Sequence, residues 1–200
     1  VGQKTPLILK LKKLKIPAVL LCLIVFSFSL LVPISVLSFW LIRGIYFGEI
    51  VSVDYLPIFN SVYISMLTTV TVILFAIPLS FLAIRHKSIL GQALERLSFI
   101  GFALPTISVS LGLVYIGARI GSPIYQSTFM LITGCLILCL PVALGPIKSR
   151  LLQINPNLED AGKTLGYSNL MSTFRITIPI LRPGLIMSSS LVFFVTMKEL

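Results

Sequence analysis

Long runs of apolar residues without a charged side chain constrain this 200-residue chain more than any other feature. Residues 16–41 and 62–84 contain no Asp, Glu, Lys, Arg or His. Each run exceeds the roughly 20 residues that a helix needs to cross a bilayer. Charged residues make up 11% of the chain, against about 25% in a typical soluble domain. So little charge cannot cover a water-soluble surface, and the mean hydropathy of +1.04 excludes intrinsic disorder. We therefore predict an integral membrane protein.

Five apolar segments are predicted to span the membrane, which makes the fold class an all-α, multi-span helical bundle. The predicted spans are 16–41, 62–84, 97–118, 124–144 and 184–200. The chain begins at Val1 and its last apolar run stops at Leu200, so we expect a piece of a longer protein with a sixth span beyond Leu200. Pro105 interrupts the third span and is predicted to be either a flexible point or a static kink.

The segments between the predicted spans differ sharply in their content of Lys and Arg. Thirteen of these residues lie on one side, in the basic lead 1–15, the link between the second and third spans, and the long loop 145–183. Only Arg43 and Arg119 lie on the other side. Basic residues mark the cytoplasmic side of a membrane protein, so the lead and the loop are predicted to be cytoplasmic. The net charge of +10 is thereby explained without a nucleic-acid partner.

Ionisable side chains are missing from the interiors of the first four predicted spans, which argues against proton coupling and intramembrane catalysis. Cys135 and Cys139 share a helix face but lack a nearby His or carboxylate, so we predict packing residues and no metal site. Residues 162–164 resemble the end of a phosphate-binding loop, but Asn157 stands where that motif requires Gly. We therefore predict no catalytic residue and no cofactor, and energy for transport must come from outside this chain.

A short amphipathic helix is predicted inside the loop 145–183. Asn155 can cap its start, Pro156 suits its first position, and Gly166 can end it after about ten residues. Its apolar face has the spacing of a helix and consists of Leu158, Ala161, Gly162 and Leu165. Such a helix can lie in the lipid headgroups, pack on its own bundle, or dock in a groove of a soluble partner. The residues alone leave these three alternatives open.

One motif in this loop resembles the EAA loop of the ABC importer permeases. Asp160-Ala161-Gly162 is followed after three residues by Gly166, and after nine more by Ile176-Thr177-Ile178-Pro179. The family pattern is Glu-Ala-Ala, three residues, Gly, nine residues, Ile, any residue, Leu-Pro. The spacing agrees throughout, while Asp replaces Glu, Gly replaces the second Ala, and Ile replaces Leu. A glycine inside a helix costs about 1 kcal/mol relative to Ala, so this helix is expected to be looser than usual.

Further short strings resemble the same permeases from Asn60 onward. They are Asn60-Ser61, Ala103-Leu104-Pro105 and Arg182-Pro183-Gly184. The segment 197–200, Met-Lys-Glu-Leu, resembles the iron(III)-type subgroup, whose members are usually double-length; this chain would then be the second half. Lys198 and Glu199 are interpreted either as lining or gating the pathway, or as a pair that extends to the membrane surface.

The resemblance implies how such a protein works and with what it assembles. In the family, the EAA loop inserts into a cleft of a separate ATP-binding cassette subunit, which acts as a dimer and hydrolyses ATP. The implied contact residues here are Glu159, Asp160, Ala161, Gly162 and Gly166. The other implied partners are a periplasmic or extracellular substrate-binding protein, a second permease half or subunit, and the lipid of a bacterial inner membrane. This chain itself would be a transport subunit and not an enzyme.

Two sets of alternatives remain at the level of sequence. The resemblance favours iron(III) as the substrate, but related permeases transport polyamines, thiamine, phosphonate, sulfate or molybdate. A protein of another class, either a secondary transporter or a structural membrane subunit, would need no ATP-binding partner.

Overall fold

The computed structural model describes residues 14–48, 54–86, 88–120 and 124–200, which are almost entirely helical. The helices are α1 (Lys15–Tyr46), α2 (Tyr55–Ile84), α3 (Ile89–Ala103), α4 (Thr106–Ile120), α5 (Thr128–Gln153), α6 (Asn157–Thr164), α7 (Asn169–Ser172) and α8 (Ile178–Glu199). A π-helical turn, Thr173–Thr177, joins α7 to α8. The chain divides into two units, Val1–Asp54 and Tyr55–Leu200, which are described separately. Apart from its last two residues, the predicted lead 1–15 lies outside the described residues.

Helix α1, in the first unit, has the features of a membrane span. It has 32 residues and is longer than the predicted span 16–41, because the helix continues past the apolar run. Its large apolar side chains are exposed, Phe28 to 70% for example, which suits contact with lipid and not with water. Near its end the guanidinium carbon of Arg43 lies 5.1 Å from the centre of the Trp40 ring. A basic and an aromatic residue together are typical of a membrane–water boundary.

The core of the second unit is formed by α2, α5 and α8, which pack closely through small side chains. Every third or fourth residue of α2 is buried, and most of these are Ser, Thr or Ala. The matching row on α8 is Leu181, Gly184, Ser188, Val192 and Thr196. The Ser188 hydroxyl donates a hydrogen bond to the Ala143 carbonyl of α5 at 2.6 Å. Small residues and interhelical hydrogen bonds are the usual means by which helices associate in a membrane.

The third predicted span is not one helix. Helices α3 and α4 meet at an angle of 105° around Leu104 and Pro105, so the interruption predicted at Pro105 within 97–118 is a sharp bend between two helices. The cause is local: a proline disfavours the helical region for the residue before it, and Leu104 is accordingly extended, with φ −79° and ψ 141°. Among the described residues, four helices are long and apolar enough to cross a membrane, or five spans if α3 and α4 together form one.

Helical structure extends into the predicted loop 145–183 from both ends. Helix α5 continues to Gln153 with Pro141 and Pro146 inside it, and α8 begins at Ile178. An apolar run measures the part of a helix that suits lipid, whereas the hydrogen-bonded helix continues into the polar flanks. Helices α6 and α7, together with the π-helical turn, occupy most of the residues between α5 and α8.

Helix α3 crosses the end of α2 so closely that only a glycine fits at one position. A Cβ atom on Gly91 would lie 2.7 Å from the Leu82 carbonyl carbon and 2.9 Å from the Ala83 nitrogen. We expect Gly91→Ala to lower the unfolding free energy by about 1–3 kcal/mol, because backbone atoms must move apart. Gly145→Ala is the matched control, since a Cβ there meets nothing within 4 Å. Thermal unfolding of the purified protein in detergent measures both, and an equal melting temperature for the two variants would contradict this packing.

Candidate functional site

The predicted amphipathic helix exists as α6, and its ends are fixed by the residues that the sequence indicated. The side-chain oxygen of Asn155 accepts a hydrogen bond from the Asn157 backbone nitrogen at 3.0 Å. Gly166 has a φ of +88°, a conformation that glycine adopts without strain. The Tyr167 nitrogen donates to the Gly162 carbonyl and the Gly166 nitrogen to the Lys163 carbonyl, which is the Schellman ending of a helix. Helix α6 has eight residues, two fewer than predicted.

One side of α6 packs against the chain's own helices, and we call it the inner face. It consists of Glu159 and Gly162, which lie three residues apart and therefore project from the same side. Gly162 is buried, and a Cβ atom there would lie 2.6 Å from Ile176 Cδ1 and 2.8 Å from the Ser172 hydroxyl. The glycine that replaces the second Ala of the EAA pattern thus allows α6 to approach α7 and the π-helical turn closely.

A second, neighbouring side of α6 is exposed, and we call it the outer face. Its apolar members are Leu158, Ala161 and Leu165, of which Leu165 is 77% exposed. Asp160 lies beside them and forms an exposed ion pair with Lys163, at 2.9 Å between Oδ1 and Nζ. The predicted apolar face is therefore divided: Gly162 contacts the bundle, while the other three residues present an apolar surface next to charged groups.

Glu159 is the centre of a set of contacts that we call the Glu159 network. The Arg85 Nε lies 3.1 Å from Glu159 Oε1, and the Thr177 hydroxyl donates to the same oxygen at 2.9 Å. Arg85 Nη2 also donates to the Ile154 carbonyl at 3.0 Å, just beyond the end of α5. The Ser172 hydroxyl donates to the Glu159 backbone carbonyl at 3.0 Å. Glu159 thereby connects α6 to residues at the ends of α2 and α5 and at the start of α8.

The five predicted contact residues of the loop do not form one surface. Asp160, Ala161 and Gly166 are exposed, whereas Glu159 and Gly162 are turned toward the bundle. Sequence reasoning missed Arg85 and Thr177 as members of this site, although the spacing of Glu159 and Gly162 could have indicated a second face.

A second ion pair, between Lys148 and Glu95, joins α5 to α3 at the same end of the bundle.

A cavity of about 730 Å³ lies between α4, α5 and the last turns of α8. Lys198 and Glu199 line it, and their charged groups lie 3.4 Å apart. Pro105 separates two further lining residues, Leu104 and Thr106. The lining also includes hydroxyl and thiol side chains that the sequence did not single out as a group: Ser110, Ser127, Thr128, Cys135, Cys139 and Thr196. Within the described residues, no three His, Cys, Asp or Glu side chains are grouped closely enough to hold a metal ion.

The chain is a helical membrane bundle with a short exposed helix near segments rich in Lys and Arg. This arrangement fits an ABC transporter permease, and comparison with known proteins identifies the same family. Residues 76–200 match the family described as "Binding-protein-dependent transport system inner membrane component". Because this match covers more than half of the chain, the protein belongs to that family of ABC permeases.

Individual relatives carry two different substrate names. The chain is 32% identical over 182 residues to the Fe(3+)-transport system permease protein FbpB 2 of Haemophilus influenzae, covering 88% of this chain and 35% of that protein. It is also 32% identical over 142 residues to the spermidine/putrescine transport system permease protein PotC homolog of Mycoplasma genitalium, covering 70% of this chain and 50% of that protein. The PotC homolog of Mycoplasma pneumoniae matches similarly, at 32% over 143 residues. The chain thus spans about a third to a half of these relatives.

The division of α6 into two faces can be tested with two leucine substitutions one residue apart. Gly162→Leu places a side chain where Ile176 and Ser172 already lie, so we expect it to displace α6. Overpacking of this kind destabilises the packed position of α6 by about 1–3 kcal/mol. We therefore expect trypsin to cleave after Lys163 at least about five times faster than in the wild-type protein. Ala161→Leu on the outer face is the control and should leave the cleavage rate unchanged. Equal cleavage of both variants would show that the inner face is not packed.

Proposed function

We propose that this chain forms part of the translocation pathway of an ATP-driven importer for iron(III). A relative whose match covers 88% of this chain is named for iron(III) transport, and segment 197–200 resembles the iron(III)-type subgroup. Identity alone does not separate the candidates, because the polyamine-named relatives are equally similar over a shorter part of the chain. Spermidine or putrescine is therefore the second candidate.

The proposed coupling element is the outer face of α6. An exposed apolar surface on a short helix, bordered by Asp160 and Lys163, suits docking into a groove of a soluble partner. That partner is an ATP-binding cassette subunit, which binds ATP as a dimer while this chain hydrolyses nothing. Of the three alternatives that the residues left open for this helix, burial in lipid headgroups fits least well, because one Ala and two Leu provide only a small apolar area.

Transport follows as a population shift between two arrangements of the bundle. The ATP-bound dimer binds one arrangement more tightly and so stabilises it. Helix α6 moves with the dimer, and α2, α5 and α8 move as a packed group toward an outward-open pathway. A substrate-binding protein then delivers the substrate, and a second permease half completes the pathway. The cavity beside Lys198, Glu199 and the Pro105 bend is the proposed section of that pathway within this chain.

The substrate assignment is tested by uptake of radiolabelled iron(III) in cells that carry this system as their only candidate importer. We expect ATP-dependent iron uptake that a tenfold excess of spermidine does not reduce. Uptake of labelled spermidine without uptake of iron would transfer the assignment to the polyamines. The same cells without the ATP-binding subunit provide the control.

Docking of the outer face is tested by two substitutions that leave the spans untouched. Asp160→Arg reverses the charge of the face, and Gly166→Pro prevents the positive φ that ends α6. We expect both to abolish uptake and to prevent co-purification of the ATP-binding subunit in mild detergent, while membrane insertion remains normal. Asp160→Asn, which keeps the size and removes only the charge, should retain part of the activity.

Normal uptake in both variants would contradict the docking role. A wild-type protein that never co-purifies with an ATP-binding subunit would instead favour a secondary transporter or a structural membrane subunit.

A further inference from the structure

The Glu159 network connects α6 to three other segments of the chain, and the docking surface does not account for it. Both of its charged side chains are largely buried, at 12% exposed for Arg85 and 18% for Glu159. Asp160, the next residue along α6, is by contrast 67% exposed and forms an ion pair with Lys163 of its own helix. The Glu159 carboxylate therefore belongs to the inner face, and the Asp160 carboxylate borders the outer face.

We propose that Glu159 and Arg85 are positioning residues that transmit the movement of α6 to the membrane helices. This inference rests on the proposed function, since it assigns the transmitting contacts behind the docking surface. The outer face receives the movement from the ATP-binding subunit. The Glu159 network passes it to α2 through Arg85, to the end of α5 through the Ile154 carbonyl, and to the start of α8 through Thr177.

Local chain geometry explains why such a contact is needed. Helix α6 has only eight residues, and short non-helical links separate it from α5 and α7. Packing of Gly162 against Ile176 resists compression, but an apolar contact of this kind resists pulling and sliding weakly because it is not directional. The ion pair holds Arg85 and Glu159 together, and two hydrogen bonds add direction: Thr177 donates to Glu159 Oε1, and Arg85 Nη2 donates to the Ile154 carbonyl.

The free energy of these contacts favours movement of α6 together with the bundle over separation of α6 from it. If α6 moved away from the bundle, Arg85 would lose its carboxylate partner while its own side chain stayed beside the ends of α2 and α5. Leaving a largely buried charge without its partner is unfavourable. The π-helical turn at Thr173–Thr177 contains the hydroxyl that completes the network, and such turns are frequent at functional sites.

The second ion pair at this end supplies a matched control. Lys148 and Glu95 are similarly shielded, at 26% and 17% exposed, and they join α5 to α3 without touching α6. If partly buried pairs here only stabilise the bundle, then removing either pair should have the same kind of effect. If the Glu159 network transmits movement, only its loss should separate ATP hydrolysis from transport.

The experiment uses the permease with its ATP-binding and substrate-binding partners, reconstituted in lipid vesicles, and measures substrate taken up per ATP hydrolysed. We expect Glu159→Gln and Arg85→Gln each to lower this ratio at least fivefold, with ATP hydrolysis within twofold of wild type. The double variant should be no worse than either single one, because both remove the same contact. Thr177→Val, which keeps the shape of the side chain, should lower the ratio less.

The control Glu95→Gln should leave the ratio unchanged, whatever it does to the melting temperature. A wild-type ratio in both Glu159→Gln and Arg85→Gln would overturn the inference. Parallel loss of uptake and hydrolysis with a lower melting temperature, in these variants and in Glu95→Gln alike, would also overturn it, because that pattern is structural. If the charge variants do not fold, Thr177→Val provides the test: a lowered ratio would support the inference, and a wild-type ratio would overturn it. Failure of the wild-type protein to bind an ATP-binding subunit would instead refute the proposed function.

Discussion

Close approach of α2, α5 and α8 is the constraint on which the rest of the second unit depends. Lipid offers no hydrophobic reward for bringing helices together, so their association relies on close packing and on hydrogen bonds between them. Gly184 permits this closeness, since a Cβ atom there would lie 2.9 Å from the Cβ of Arg150. The Ser188 hydroxyl bound to the Ala143 carbonyl adds a directional contact. This packing brings the end of α2, the end of α5 and the start of α8 to one place, where Arg85 and Thr177 can both reach Glu159.

Helix α6 therefore has two surfaces with different physical character. The inner face is small and charged, and it is matched to specific groups on three other segments. The outer face is apolar and solvent-exposed, with its ion pair at the margin. A rigid contact on one side and an adaptable surface on the other is the arrangement expected of an element that receives a movement and passes it on. The departure from the family pattern at Gly162 belongs to the inner face, where a larger side chain would need Ile176 and Ser172 to move.

The sequence predicts best what depends on neighbouring residues. Apolar runs predicted the membrane helices, and Asn155 with Gly166 predicted the ends of α6, because capping is a local matter. The extent of the bend at Pro105 was missed, since a proline permits anything from a slight kink to a complete break, and the outcome depends on what α3 and α4 pack against. The role of Arg85 was also missed: its partners Ile154 and Glu159 lie far along the chain, and only the assembled bundle brings them together. The cavity near Lys198 could not be predicted either, because helices that are distant in the chain line it together.

The central claim is that α6 moves together with the helices that hold its inner face. Spin labels at Leu165, at the end of α6, and at His86 beyond α2 are both exposed; on a background without the native cysteines they report this directly by pulsed electron paramagnetic resonance. In the proposed complex with an ATP-binding subunit, we expect the distance between these two labels to stay the same in the nucleotide-free and ATP-bound states. The distance from the Leu165 label to a label at the equivalent position of the proposed second permease half should change over the same cycle. A change in the Leu165–His86 distance as large as the change between the halves would contradict the account.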